Sequence, residues 1–184
     1  MTGRLLTTLL LFAPVAAHSE KAWVFEPGQA LVSVEVGPKG KGTRLSAVSY
    51  GLSGHIRELD GGTVQAEVRI HLTSFLTGNA ARDHKVKKEG EAEKFPEIVF
   101  QGGGPAPGRD GTMSLKGTLT FHGMWAPLEV PVTVVRAGNL AFGHATLLLH
   151  LRDFGFTLPP GAPDEVRVEV DAGLRPAGAL ASRG

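Results

Sequence analysis

Arg82 and Asp83, inside the charged run from Asn79 to Lys94, are the residues of this 184-residue chain best suited to recognition chemistry. A guanidinium offers a fork of donors to a phosphate or a quinone oxygen. The same pair can instead fix a chain crossover through local hydrogen bonds and ion pairs. His84 beside Asp83 would be the acid/base pair of an enzyme, but neighbours in sequence rarely face one another. Seven histidines raise the question of a metal. His55, His71, His122, His144 and His150 show neither H-x-H nor H-E-x-x-H spacing. His144 and His150 share one strand face but would lie roughly 20 Å apart on an extended chain. Ser46, Ser49 and Ser53 lack a G-x-S-x-G elbow. Asp60, Asp110 and Asp164 sit at turns, where aspartate serves the backbone. With no cysteine there is no thiolate ligand and no thiol nucleophile. The pattern points to a binding protein, not an enzyme, with no metal and no cofactor.

The totals are consistent with that. Arg4, the apolar run Leu5–Pro14 and the small residues Val15-Ala16-Ala17 read as a signal peptide over 1–17, cleaved after Ala17. The run is too short for a stable bilayer anchor. Removing Arg4 from the 19 Lys and Arg leaves 18, equal to the 18 Asp and Glu. A neutral mature chain argues against nucleic acid as a partner. The expectation is a periplasmic or extracellular protein with one domain over 18–184, held by its own core without disulfides.

Strands must position these groups. Val32, Val34 and Val36 alternate with Ser33 and Glu35, following a turn at Pro27-Gly28. Residues 45–59 read as a strand interrupted near Gly51 and Gly54. Asp60-Gly61-Gly62 is a hairpin turn, and Val64, Ala66, Val68, Ile70 and Leu72 share one face beyond it. The charged run follows, with Asn79 as an N-cap and Gly90 as a break; Pro96 stops any helix at Phe95. Extended structure resumes over 98–101, and 102–111 reads as a loop. Met113 to Phe121 alternates again. A turn at His122–Trp125 leads into Leu128, Val130, Val132 and Val134, with Pro131 on the opposite face and no N–H to offer a neighbour. Residues 140–151 make a long strand that is apolar on both faces, and Val166 to Leu174 is the last. Eight or nine strands at hairpin spacing, with one short helical insertion and no βαβ alternation, predict an all-β antiparallel barrel, with a β-sandwich as the alternative.

Several segments resemble the YceI-like family of exported bacterial proteins. They are Thr77-Gly78-Asn79 with Arg82-Asp83; Lys94-Phe95-Pro96-Glu97-Ile98-Val99-Phe100; Leu115 through Gly123 with Pro127-Leu128; and Arg152-Asp153-Phe154-Gly155-Phe156. The resemblance covers nearly the whole mature chain. It implies a lipocalin-like barrel whose apolar interior binds a polyisoprenoid, such as a quinone tail or polyprenyl phosphate. Three positions depart from the family pattern. Gln29-Ala30 replaces a usual His-Ser pair, Ile56 stands where an aromatic is common, and Lys87-Lys88-Glu89 replaces paired phenylalanines.

Within that implication, strand alternation selects the lining. Val64, Val68 and Ile70 are expected from one strand, and Leu115, Leu119 and Phe121 from the next hairpin. Val130 and Val132, Leu147 and Leu149, and Val168 and Val170 complete the set; a one-residue slip would turn any of these strands inside out. Arg82 and Asp83 are the candidates for a polar gate at the barrel mouth. Burying about ten methylene equivalents at about 0.8 kcal/mol each gives about 8 kcal/mol before costs, hence about micromolar affinity at best. The competing reading is an envelope interaction or stress module with a filled core and no lipid cargo.

Overall fold

Period-2 alternation of Val, Leu and Ile with polar residues puts one apolar row on each strand, and the strands pair in sequence order. A computed structural model describes residues 21–37 and 45–178. It contains nine strands: β1 Lys21–Val36, β2 Leu45–Ser49, β3 Leu52–Leu59, β4 Thr63–His71, β5 Glu97–Pro105, β6 Thr112–Phe121, β7 Met124–Ala137, β8 Leu140–His150 and β9 Glu165–Pro176. One helix, α1, spans Ala80–Glu89 between β4 and β5. All pairings are antiparallel, in the order β2-β1-β3-β4-β5-β6-β7-β8-β9, and β1 closes on β9. β2 and β3 meet different halves of β1, Val32–Val36 and Lys21–Val24 respectively, so they act as one stave broken at Tyr50-Gly51. The result is a closed eight-stave antiparallel barrel, as expected, and not a sandwich.

Two segments differ from expectation. Pro27-Gly28 is not a turn between strands but a bulge within the 16-residue β1, where the register against β9 shifts between Phe25 and Ala30. The unpaired residues bend the strand and let one continuous stave follow the barrel wall. Gly102, Gly103 and Gly104 are not loop but the second half of β5. Here β4, β5 and β6 crowd so closely that a Cβ on Gly104 would lie 2.1 Å from the Ser114 carbonyl oxygen. Gly102 pairs directly with Gly117 of β6. Glycine marks a barrel corner here, where sheet curvature needs backbones without side chains between them.

The proline of β7 behaves as its chemistry requires. His122 and Gly123 form a two-residue turn with φ of 52° and 73°, so Phe121 and Met124 flank it as a hydrogen-bonded pair. Even-numbered β7 residues therefore bond β6, and odd-numbered ones turn their nitrogens toward β8. Pro127 and Pro131 are odd-numbered and have no proton to give. The β7–β8 ladder ends at Val132 and Ala145, one residue short of Pro131.

Three buried clusters line the wall, centred on Val32, Leu72 and Phe75; on Phe100, Leu115, Leu119 and Phe154; and on Trp23, Ala141 and Leu174. They form a shell around a cavity. The connection containing α1 lies at the barrel end shared by the β6–β7 turn and the Leu151–Phe154 turn; the other end carries the β3–β4, β5–β6 and β7–β8 hairpins.

Candidate ligand-binding cavity

The cavity has a volume of about 400 Å³, within the roughly 300–1,000 Å³ typical of small-molecule sites. All twelve residues expected to line the barrel do so: Val64, Val68 and Ile70 on β4, Leu115, Leu119 and Phe121 on β6, Val130 and Val132 on β7, Leu147 and Leu149 on β8, and Val168 and Val170 on β9. The outward row of β8 holds the other apolar residues, Phe142 and Leu148, both exposed. Further inward positions that sequence reasoning passed over lie on other strands, among them Trp23 and Phe25 on β1, Ile56 on β3 and Phe100 on β5. Ile56 meets the cavity as an aliphatic wall.

The helix end is packed with apolar and aromatic groups. Phe121 lies 5.6 Å from Phe154 and 5.2 Å from Phe156, centroid to centroid. His122 stacks on Phe156 at 4.4 Å, its Nδ1–H donates to the Phe154 carbonyl at 3.1 Å, and its Nε2 lies 3.0 Å from a Glu91 oxygen. Phe154, 2% exposed, is the hub of this cap.

α1 is built as a crossover. The Asn79 side chain accepts from the Ala81 and Arg82 amides at 3.1 Å each, capping the N-terminus. Asp83 accepts from the Thr77 amide at 2.7 Å and from its hydroxyl at 2.6 Å. The hydroxyl bond and then the amide bond hold this carboxyl below the usual aspartate range. At the C-terminus Gly90 caps the helix and packs on Leu72 so tightly that a Cβ would sit 2.4 Å from Leu72 Cδ2. Val86, Glu89 and Gly90 reach the cavity. Arg82 is exposed, and Asp83 is turned toward Thr77; neither is among the lining residues. Just upstream, Ser49 is completely buried; it donates to Ser74 at 2.6 Å, Ser74 donates to the His71 carbonyl, and the Gly51 amide donates to Ser49. This chain of bonds locks the break between β2 and β3 against the connection to α1.

The hairpin end is different. Glu58 of β3 and Arg136 of β7 line the cavity there and form an ion pair. Both continue inward rows, Glu58 after Ile56 and Arg136 after Val134, so parity was the signal that could have found them. His144 is brought beside the Asp171 carboxylate (2.8 Å) by β8–β9 pairing, with Glu169 adjacent. This group is exposed on the outer wall, where Glu67 also accepts from Gln101 and Arg69, bonds that lower its pKa in that order. Residues 1–17, read from the sequence as a signal peptide, lie outside the described residues.

A YceI-like domain model matches residues 23–174. The chain belongs to the YceI-like family. Solved structures similar to it include BcnA of Burkholderia cenocepacia, with a TM-score of 0.69 and 19% identity over 81% of this chain and 98% of that one. A polyisoprenoid-binding domain from Saccharophagus degradans, implicated in plant cell wall breakdown, gives 0.68 and 16% over 84% and 98%. The Campylobacter jejuni YCEI protein gives 0.56 and 19% over 75% and 91%. At these identities the likeness speaks for the fold: the YceI-like barrel of this chain is common to all three. No curated protein matches the chain.

Proposed function

We infer that this YceI-like protein is a lipid-binding barrel that sequesters or carries a polyisoprenoid, acting by binding without a catalytic step. The observation that carries the reading is the cavity itself, an apolar channel lined by inward rows from β1 and β3 through β9 and running from the aromatic cap to the hairpin end. Ten methylene equivalents buried against such a wall would contribute about 8 kcal/mol before costs, and a wall without polar groups along most of its length suits a hydrocarbon chain. The binding named for the Saccharophagus degradans domain supports the same ligand class. The leader-like composition of 1–17 supports export and action in the periplasm or outside the cell. No helix among the described residues is long and apolar enough to cross a membrane.

A filled-core interaction module is disfavoured by the open interior, and one substitution separates the two readings. Val132 lies mid-strand, between Met113 and Ala145, with its side chain in the cavity. Val132→Trp should abolish uptake of a prenylated quinone, followed by native mass spectrometry, while leaving the melting temperature within a few degrees. A packed barrel would instead lose about 1–3 kcal/mol of stability from overfilling. Unaltered protein that neither co-purifies with lipid nor takes up the quinone would sink the lipid-binding reading.

A further inference from the structure

β7 and β8 are joined along only part of their lengths. Residues 132–137 of β7 pair with 140–145 of β8, and there the ladder stops. Beyond it, 124–131 stay with β6 and 146–150 stay with β9. The seam is written into the sequence, because Pro127 and Pro131 stand where β7 would donate to β8 and have no N–H. Val130 on one side of the seam, and Leu147 and Leu149 on the other, line the cavity. Outside, the same stretch exposes Trp125 (71%), Met124 and Leu148. Val135, Leu140 and Phe142 continue along the two strands. Six of the eight large apolar side chains exposed among the described residues therefore stand on β7 and β8. Charge is sparse on this face. Apart from histidines, the outward rows, odd-numbered on β7 and even-numbered on β8, hold one charged residue, Glu129. Lys116 of β6 offsets it at 3.7 Å. The neighbouring outward row of β9 runs Glu165, Arg167, Glu169 and Asp171.

We propose that the β7–β8 face docks on a bilayer surface and presents the seam to it as a lateral opening of the cavity. Exposed apolar side chains scattered singly need no explanation, but their concentration on one face marks an interaction site. The seam decides what that face meets. Behind it lies the apolar cavity, and the lipid-binding reading, on which the lateral opening rests, requires a hydrocarbon chain to reach that cavity. Neither end gives such a chain an apolar route. Phe154 and Phe156 pack with Phe121 over one, and the charges of Glu58 and Arg136 stand at the other. Between β7 and β8 the route is apolar from Trp125 and Leu148 outside to Val130 and Leu149 inside. A face whose one charge is offset approaches hydrocarbon without the desolvation penalty that the carboxylates of β9 would incur. Tryptophan suits the boundary itself, having an apolar body and a single polar N–H. Strands without a ladder between them can part there without losing backbone hydrogen bonds to each other, so opening leaves the rest of the barrel intact.

The test floats the protein, purified after export and free of the leader-like residues 1–17, with vesicles of phosphatidylcholine alone or with added phosphatidylglycerol. Both compositions should carry it upward. Emission from Trp125 should shift to shorter wavelength and be quenched by lipids brominated in the acyl chain, and Trp125→Phe should remove the shift. Trp23, the other tryptophan and 3% exposed, supplies a steady background. Trp125→Ser with Leu148→Asp should weaken vesicle binding at least tenfold, since burial of one such side chain is worth about tenfold. The same double variant should take a prenylated quinone from vesicles at least tenfold more slowly, yet take it from a cyclodextrin complex at the unaltered rate. Should that variant fail to fold, the quenching of Trp125 in the unaltered protein decides. Unaltered protein that floats with neither vesicle, or only with the anionic one, overturns the docking face, as does a double variant that floats equally well. A dimer in sedimentation whose Trp125 emission is already shifted without vesicles makes the face a contact between copies and overturns it too. Equal transfer from vesicles by both proteins overturns the lateral opening. Vesicle binding with no quinone uptake from either source removes the lipid-binding reading, and the opening with it, and leaves the docking face standing.

Discussion

At one end of the barrel a long connection between β4 and β5, a turn at Leu151–Phe154 and a tight turn at His122-Gly123 converge on a cluster of Phe121, Phe154 and Phe156. At the other end, short hairpins leave the strand tips near water, and the last inward positions of β3 and β7 are Glu58 and Arg136. The alternation along the strands is the same at both ends. What differs is whether a further segment folds over the last inward side chain. At the covered end β6 finishes its inward row in Phe121, under Phe154 and Phe156; at the open end β3 and β7 finish theirs in an ion pair. The comparison gives the cavity a polarity, with an apolar floor and a polar rim.

The largest effect is expected from removing the floor. Phe154→Ala takes a ring from the buried hub of the aromatic cap and should cost about 3–5 kcal/mol in urea unfolding. A loss under about 1 kcal/mol, the size of an ordinary substitution, would mean that the cap covers the cavity without holding the barrel together.

A matched pair of glycines sharpens the same contrast. Gly123 at the floor has φ +73°, and a Cβ there would meet the Phe95 ring at 2.5 Å. Gly61 at the rim has φ +85°, with nothing within 4 Å of its Cβ position. Each Gly→Ala change incurs the backbone cost of a left-handed residue, about 1 kcal/mol. Only Gly123→Ala adds the clash, and it should be the more destabilising of the two in thermal melts. Equal losses would show that the Phe95 side of the cap yields freely.

How much of this was legible beforehand follows from the range of each interaction. The inward rows were legible because alternation is a local property of one strand; Val130 with Val132 and Val168 with Val170 reach the cavity as their parity required. The N-cap at Asn79 and the break at Gly90 were legible for the same reason. The glycine run of β5 was not, because its meaning lies in a neighbour, Gly117, that only pairing supplies. The bulge at Pro27-Gly28 looks like a turn until β9 is seen to run past it. The rim was least legible of all: Glu58 and Arg136 are 78 residues apart in sequence and meet only when the barrel closes. Arg82 and Asp83 drew attention instead, being charged and adjacent, yet one is exposed and the other faces Thr77.

Asp83 offers the smallest effect and a defined pH dependence. Its carboxylate accepts two bonds from Thr77, which lower its pKa in the folded protein. The folded state therefore releases this proton more readily than the unfolded chain, whose aspartate titrates at about 3.9. The stability contributed by the pair is fully present above that value and is lost as pH falls through the lower, folded pKa. Asp83→Asn should lower the melting temperature slightly at pH 7, and the gap to the unaltered protein should narrow as the pH is taken below about 4. Quinone uptake at pH 7 should not change, since Asp83 anchors the connection at the floor and does not line the cavity. A loss of uptake in Asp83→Asn with the melting temperature unchanged would make this residue a gate at the helix end of the cavity.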